Sequence, residues 1–176
     1  MTKDSIILAS GDYKMNTFIS VDLEKCTGCR CCEMACSLHN DNQCHPEKAR
    51  IRAIRSEDDG RVFTLPIVCQ QCEKAPCLEF CPSGAMSRKP ETGAIVVDEN
   101  RCIGCKRCVF VCPFGIPFID EHRGVSVKCN LCDGSPKCVE ICPKDALSLT
   151  QYDKMSIKKK REKVDKFITY QHTKTL

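Results

Sequence analysis

The sequence predicts an α+β protein of two small lobes, in which short helices and β-hairpins are arranged around bound metal rather than around a large apolar interior. Three observations point there. Eighteen of the 176 residues are Cys and none is Trp. Sixteen of those cysteines fall into four groups of related spacing, and the stretches between the groups read as short strands and hairpins. A chain of this length forms one domain or two small lobes, and aromatic residues at 6% cannot fill a large core.

Residues 1–17 read as an N-terminal extension. Their only apolar run is Ile6 to Ala9, with Asp4 before it and Gly11-Asp12 after it. That is too short for a secretory leader, and no paired arginines precede it. The other apolar stretches are also far below the ~20 residues that span a bilayer. The expectation is a cytoplasmic protein with no membrane span, in a reducing compartment where cysteines hold metal rather than form disulfides.

The first quartet is Cys26-x2-Cys29-x2-Cys32-x3-Cys36, and the third, Cys102-x2-Cys105-x2-Cys108-x3-Cys112, repeats its spacing. The second is Cys69-x2-Cys72-x4-Cys77-x3-Cys81, and the fourth is Cys129-x2-Cys132-x5-Cys138-x3-Cys142. The last three end in Cys-Pro, at Pro82, Pro113 and Pro143. Three cysteines in a tight loop can turn their sulfurs onto three corners of one 4Fe-4S cubane, and Gly28 and Gly104 suit such a loop because glycine tolerates positive φ. The fourth cysteine follows after one helical turn, faces away, and can complete a neighbouring cluster. The proline after it stops the helix. Four quartets therefore predict four 4Fe-4S clusters. Chain order permits pairing of adjacent quartets as well as nested pairing.

Between the quartets, Ile95 to Val97 after Lys89 to Gly93, and Val125 to Val127 after Glu121 to Gly124, read as hairpin returns. Residues 37–68 form the longest insert. Within it, Ile51 to Arg55 and Val62 to Leu65 flank Glu57 to Gly60, an additional hairpin.

The net charge of +4 conceals a division. Residues 154–176 hold eight Lys or Arg against Glu162 and Asp165, while the remainder holds nineteen basic and twenty-one acidic residues. This basic C-terminal tail can form a helix with Ile157, Val164, Phe167 and Ile168 on one side, suited to docking on a partner subunit or another copy. Nucleic-acid binding would need interleaved aromatics or a recognisable fold and is not the expectation for this tail.

Zinc also uses CxxC pairs, and a zinc-structured nucleic-acid-binding module is the alternative of a different class. Zinc gains nothing from a third cysteine two residues on or from the proline that follows. Cys31 and Cys44 are left over, since choosing Cys31 over Cys32 would break the spacing. His39, His45, His122 and His172 fall outside the ligand positions, which argues against a Rieske centre.

Over residues 18 to about 150, these quartets in this order resemble the four-cluster ferredoxin-like electron-transfer subunits of multi-subunit oxidoreductases. The runs Val68 to Cys77 and Lys128 to Cys132 look very like theirs. The resemblance implies two ferredoxin-like bicluster lobes, 18–68 with 125–153 and 69–124, and nested pairing. In the first lobe Cys26, Cys29 and Cys32 would share a cluster with Cys142, while Cys129, Cys132 and Cys138 would share one with Cys36. In the second, Cys69, Cys72 and Cys77 would join Cys112, and Cys102, Cys105 and Cys108 would join Cys81. Four thiolates per cluster leave no iron open to substrate, and no nucleophile-base set stands out, so a conductor of single electrons is expected rather than a catalyst. The resemblance implies two partners, a catalytic subunit of tungsten- or molybdenum-pterin type and an electron-accepting subunit or carrier. The aldehyde oxidoreductase small subunit is the form most similar. A ferredoxin serving carbon monoxide dehydrogenase or a hydrogenase is the second reading.

Overall fold

The computed structural model describes residues 17–151. The extension over 1–16 and the basic tail over 154–176 lie outside the described residues. Eight strands form four separate antiparallel pairs, joined by four helices of which three are five residues or shorter. The chain opens with β1 (Thr17–Val21) and closes with β8 (Leu147–Gln151), which pair from Thr17 with Gln151 to Val21 with Leu147. Between them run α1 (Cys31–Asp41), the hairpin β2 (Arg52–Asp58) and β3 (Arg61–Ile67), and α2 (Pro76–Glu79). These are followed by β4 (Met86–Arg88) with β5 (Ile95–Val97), α3 (Arg107–Val111), β6 (Phe118–Ile119) with β7 (Ser126–Val127), and α4 (Lys137–Glu140).

The three hairpins foreseen between quartets are present. In the longest, Asp59 and Gly60 both take positive φ, 49° and 71°, as a two-residue turn requires when it matches the twist of its strands. The helices behave as the prolines demand. Those of quartets II, III and IV end at Glu79, Val111 and Glu140, just before their Cys-Pro, whereas Ser37 follows Cys36 and α1 runs on to Asp41.

The pairing of β1 with β8 relates the two halves of the molecule. Strand β4 begins five residues after Cys81 and β8 five residues after Cys142; β5 ends five residues before Cys102 and β1 five residues before Cys26. Each of these two sheets thus joins the strand leaving one quartet to the strand entering another: II to III through Met86 and Val97, and IV to I through Leu147 and Val21. Helix packing follows the same division, α1 against α4 and α2 against α3.

Two apolar cores result. One gathers Ile19, Ile51, Val68, Leu131 and Leu147 around Cys32, Cys36 and Cys138, and the other gathers Ala75, Met86 and Ile95 around Cys77 and Cys108. An ion network ties them together, in which Arg123 reaches Glu99 (2.7 Å), Asp120 (3.0 Å) and Asp41 (3.4 Å), and Arg50 meets Asp41 from the other side at 3.3 Å. Among the described residues no helix is long and apolar enough to cross a membrane.

The inserted hairpin is anchored by a buried acid. The Glu33 carboxylate accepts from the Ala53 backbone N–H at 2.9 Å and from Arg30 Nε at 2.6 Å, at 1% side-chain exposure. Replacing Glu33 with Ala leaves the Ala53 N–H without its acceptor, a cost of about 1–3 kcal/mol. The expected result is native circular dichroism lost at lower urea in Glu33→Ala than in the parent protein.

Candidate metal centres

All four cysteine loops share one backbone device. The residue before the second cysteine is left-handed in each: Gly28 (φ 71°), Gln71 (46°), Gly104 (63°) and Leu131 (59°). A left-handed residue there folds the chain back, so that cysteines three apart can line one space. The sequence pointed to the two glycines. Gln71 and Leu131 adopt the same conformation at a strain of roughly 1–2 kcal/mol. Burial holds them there. Leu131 is 1% exposed, and Gln71 is fully enclosed, its Oε1 accepting from Ile95 N at 2.9 Å and its Nε2 donating to the Cys129 carbonyl at 3.0 Å. In quartets I and III a second left-handed residue, Arg30 or Lys106 (both φ 62°), caps the helix that carries the third cysteine.

Three cavities open among these loops. Cys26, Cys29 and Cys32 line the first together with Cys142 from the other end of the fold, and Cys31 stands in the same wall. Cys102, Cys105 and Cys108 line the second together with Cys81. Cys129, Cys132 and Cys138 line the third with Cys36, and Cys69 reaches it as well. They hold about 320 to 380 Å3 of atom-free space, continuous with solvent. The remaining group shows itself electrostatically. Burial pushes the Cys77 thiol up to about 11, and Cys69, Cys112 and Cys72 lie close enough to add to the rise. Among the described residues no three Cys, His, Asp or Glu side chains converge on a position for a single ion.

The donor set fits an iron-sulfur cluster. None of the eighteen cysteines forms a disulfide. Backbone N–H groups donate to Sγ of Cys36 (from Arg50, 3.2 Å), Cys102 (from Ser126, 3.3 Å) and Cys142 (from Ala146, 3.3 Å). Such bonds favour the thiolate and help set a cluster's potential. Burial acts the other way. It pushes Cys32 up to about 12 and raises Cys36, Cys72, Cys108, Cys129 and Cys138. At Cys81 hydrogen bonds from the Ser83 hydroxyl and the Met86 and Ala85 N–H groups outweigh burial and lower the thiol. Buried thiols of this kind stay protonated until a cation displaces the proton.

Outside the quartets, Cys44 is exposed, and so are His39, His45 and His122. His172 lies outside the described residues.

A model of the 4Fe-4S dicluster domain matches residues 60–152, which hold quartets II, III and IV. The chain belongs to this family. Membership sets aside the zinc-structured module as a reading of these cysteines. The chain is 41% identical over 120 residues to the polyferredoxin-like subunit of the aliphatic sulfonate oxidoreductase of Pyrococcus furiosus, covering 68% of each. It is 46% identical over 108 residues to the electron transport protein HydN of Escherichia coli K12, covering 57% of this chain and 58% of that one. With one component of the anaerobic dimethyl sulfoxide reductase of the same organism it shares 40% over 119 residues, 62% of this sequence and 58% of that one. These are electron-transport proteins or subunits of oxidoreductases, in keeping with a conducting rather than a catalytic role.

The two glycines should differ in tolerance. A Cβ on Gly104 would press against the backbone carbonyl oxygen of Gly124, whereas a Cβ on Gly28 would meet the Thr64 side chain, which can rotate away. Both substitutions carry the left-handed strain of about 1–2 kcal/mol. Gly104→Ala is expected to lose more iron per chain than Gly28→Ala, as read by iron analysis of the purified proteins.

Proposed function

We propose that the chain carries four 4Fe-4S clusters and relays single electrons between a catalytic subunit and an acceptor. Cys26, Cys29, Cys32 and Cys142 would hold one cluster and Cys129, Cys132, Cys138 and Cys36 the second. Cys69, Cys72, Cys77 and Cys112 would hold the third, and Cys102, Cys105, Cys108 and Cys81 the fourth. The observation that carries this reading is the agreement between strand pairing and cavity lining. Strands bring quartet I to IV and quartet II to III, and the cavities mix three cysteines of one quartet with the last cysteine of its strand partner. The lobes are then 18–68 with 125–153, and 69–124. When bound, each cluster supplies one-electron redox chemistry. The chain supplies the thiolates, the N–H groups aimed at them, and the fixed loops that keep the sites in place. Gly28 and Gly104 let the backbone approach closely in two of those loops.

The partner is read as a tungsten- or molybdenum-pterin oxidoreductase, working in the cytoplasm. Relatedness to subunits of a sulfonate oxidoreductase and a dimethyl sulfoxide reductase supports an oxidoreductase partner. Exposed Phe80, Ile103 and Phe110, beside cysteines of quartets II and III, offer such a subunit an apolar surface to cover. Purification from native cells is expected to bring down a second subunit containing tungsten or molybdenum. Nickel in that subunit would point instead to carbon monoxide dehydrogenase or hydrogenase.

Iron and acid-labile sulfide should each approach about sixteen per chain, four per cubane. A value near eight would restrict the protein to two clusters and refute the assignment. Structural metal sites supply ~10–16 kcal/mol each against ~5–15 kcal/mol for a whole domain, so the chelated chain should lose its circular dichroism. Deleting residues 154–176 should leave the iron content unchanged and weaken complex formation in gel filtration. Assembly unchanged by truncation would remove the tail from the docking surface.

A further inference from the structure

One buried cation stands apart from the ion pairs that brace the fold. Lys128 follows β7 and precedes the first cysteine of quartet IV, and it is 4% exposed. Its ammonium donates to two carbonyls, that of Ile95 on β5 and that of Cys129 at 2.9 Å. Among the described residues no carboxylate lies within ion-pair distance of it. An ammonium removed from water without a counter-ion is costly, and buried lysines are normally paired. Two carbonyl dipoles take two of its three N–H donors and leave its charge without a counter-ion.

The surroundings identify the missing negative charge. Lys128 stands where the two lobes meet. Its partner Cys129 belongs to quartet IV, and the same Cys129 carbonyl accepts from Gln71, which lies between Cys69 and Cys72 of quartet II. Cys69 also lines the quartet IV cavity. The charge on Lys128 reaches Cys72 and Cys77 on one side and Cys129 on the other. A cubane bound by four thiolates is a net anion in both oxidation states and gains one further negative charge when it accepts an electron. A fixed positive charge nearby stabilises the reduced form more than the oxidised form, and the effect is strongest away from water.

We infer that Lys128 is the counter-charge shared by the two centres at the lobe junction, those of Cys69, Cys72, Cys77 and Cys112 and of Cys129, Cys132, Cys138 and Cys36, and that it raises the reduction potential of both. The inference rests on the ligation proposed above. Lys128 acts through charge alone, and its counterparts in the outer two sites are backbone and hydroxyl donors such as Ser126, which donates its N–H to Cys102 and lies 3.1 Å from Cys108 Sγ through its Oγ.

The test is a dithionite titration followed by electron paramagnetic resonance on the full-length loaded protein and on Lys128→Met, Lys128→Gln and Lys128→Arg. Glutamine keeps a donor for the carbonyls without the charge, and arginine keeps the charge. In the neutral variants two of the four midpoints should move to more negative potential by at least tenfold in the reduction equilibrium, about 59 mV for one electron, while the other two stay in place. Lys128→Arg should restore them. Loss of iron from both neutral variants but not from Lys128→Arg would also support the charge, as a condition of occupancy. A neutral variant that keeps its iron with all midpoints unmoved overturns the inference, and so does loss of iron from all three. Either result leaves the four-cluster reading standing if the parent protein holds about sixteen iron atoms, four per cubane. A parent protein with about half that number would sink the reading itself.

Discussion

The structure depends on the enclosure of thiols that are unstable as neighbours unless a cation stands among them. Side chains that would otherwise form a core are replaced by cysteines: Cys32, Cys36 and Cys138 sit within one apolar cluster and Cys77 and Cys108 within the other. Burial raises these thiols, and adjacent thiolates would repel. Metal coordination relieves both effects at once, because it replaces protons with positive charge and fixes the sulfurs at a distance. This is why helices of four or five residues and strands of two or three suffice. They are too short to be stable alone and serve to present sulfur.

From that requirement the symmetry follows. Quartets I and IV, and likewise II and III, are joined by a single short sheet that links the exit of one loop to the entrance of the other with the same offset. The inserted hairpin β2–β3 is the longer counterpart of β6–β7, which joins quartets III and IV, and is held through Glu33 to the helix that quartet I prolongs by lacking a proline. The junction between the two apolar cores is polar. Gln71 and Lys128 cross it inside, and Arg123 with Asp41 and Glu99 crosses it at the surface.

Much of this was legible in the sequence because sulfur spacing is a local property. The four loops, the three hairpins and the helix stops are set by residues within a few positions of each other, and all of them are found. The pairing of β1 with β8 was not legible, since Thr17 to Val21 carries no turn signal and its partner lies at the far end of the described residues. Nor were the left-handed Gln71 and Leu131, because neither residue type announces positive φ and only tertiary burial holds them there. The burial of Lys128 was not legible either, because it is set by the carbonyl of Ile95, distant in the chain.

The closure of the fold by β1 and β8 has a consequence for biogenesis. The elements from Cys69 to Val127 are contiguous in the chain, so α2, α3 and the pairs β4–β5 and β6–β7 can form while later residues are still on the ribosome. The half built on Cys26 must wait until Cys142 and the strand behind it emerge, at a loop-closure cost that grows only slowly with the length already synthesised. The strand β1, made before every other strand described, is therefore among the last to find its partner.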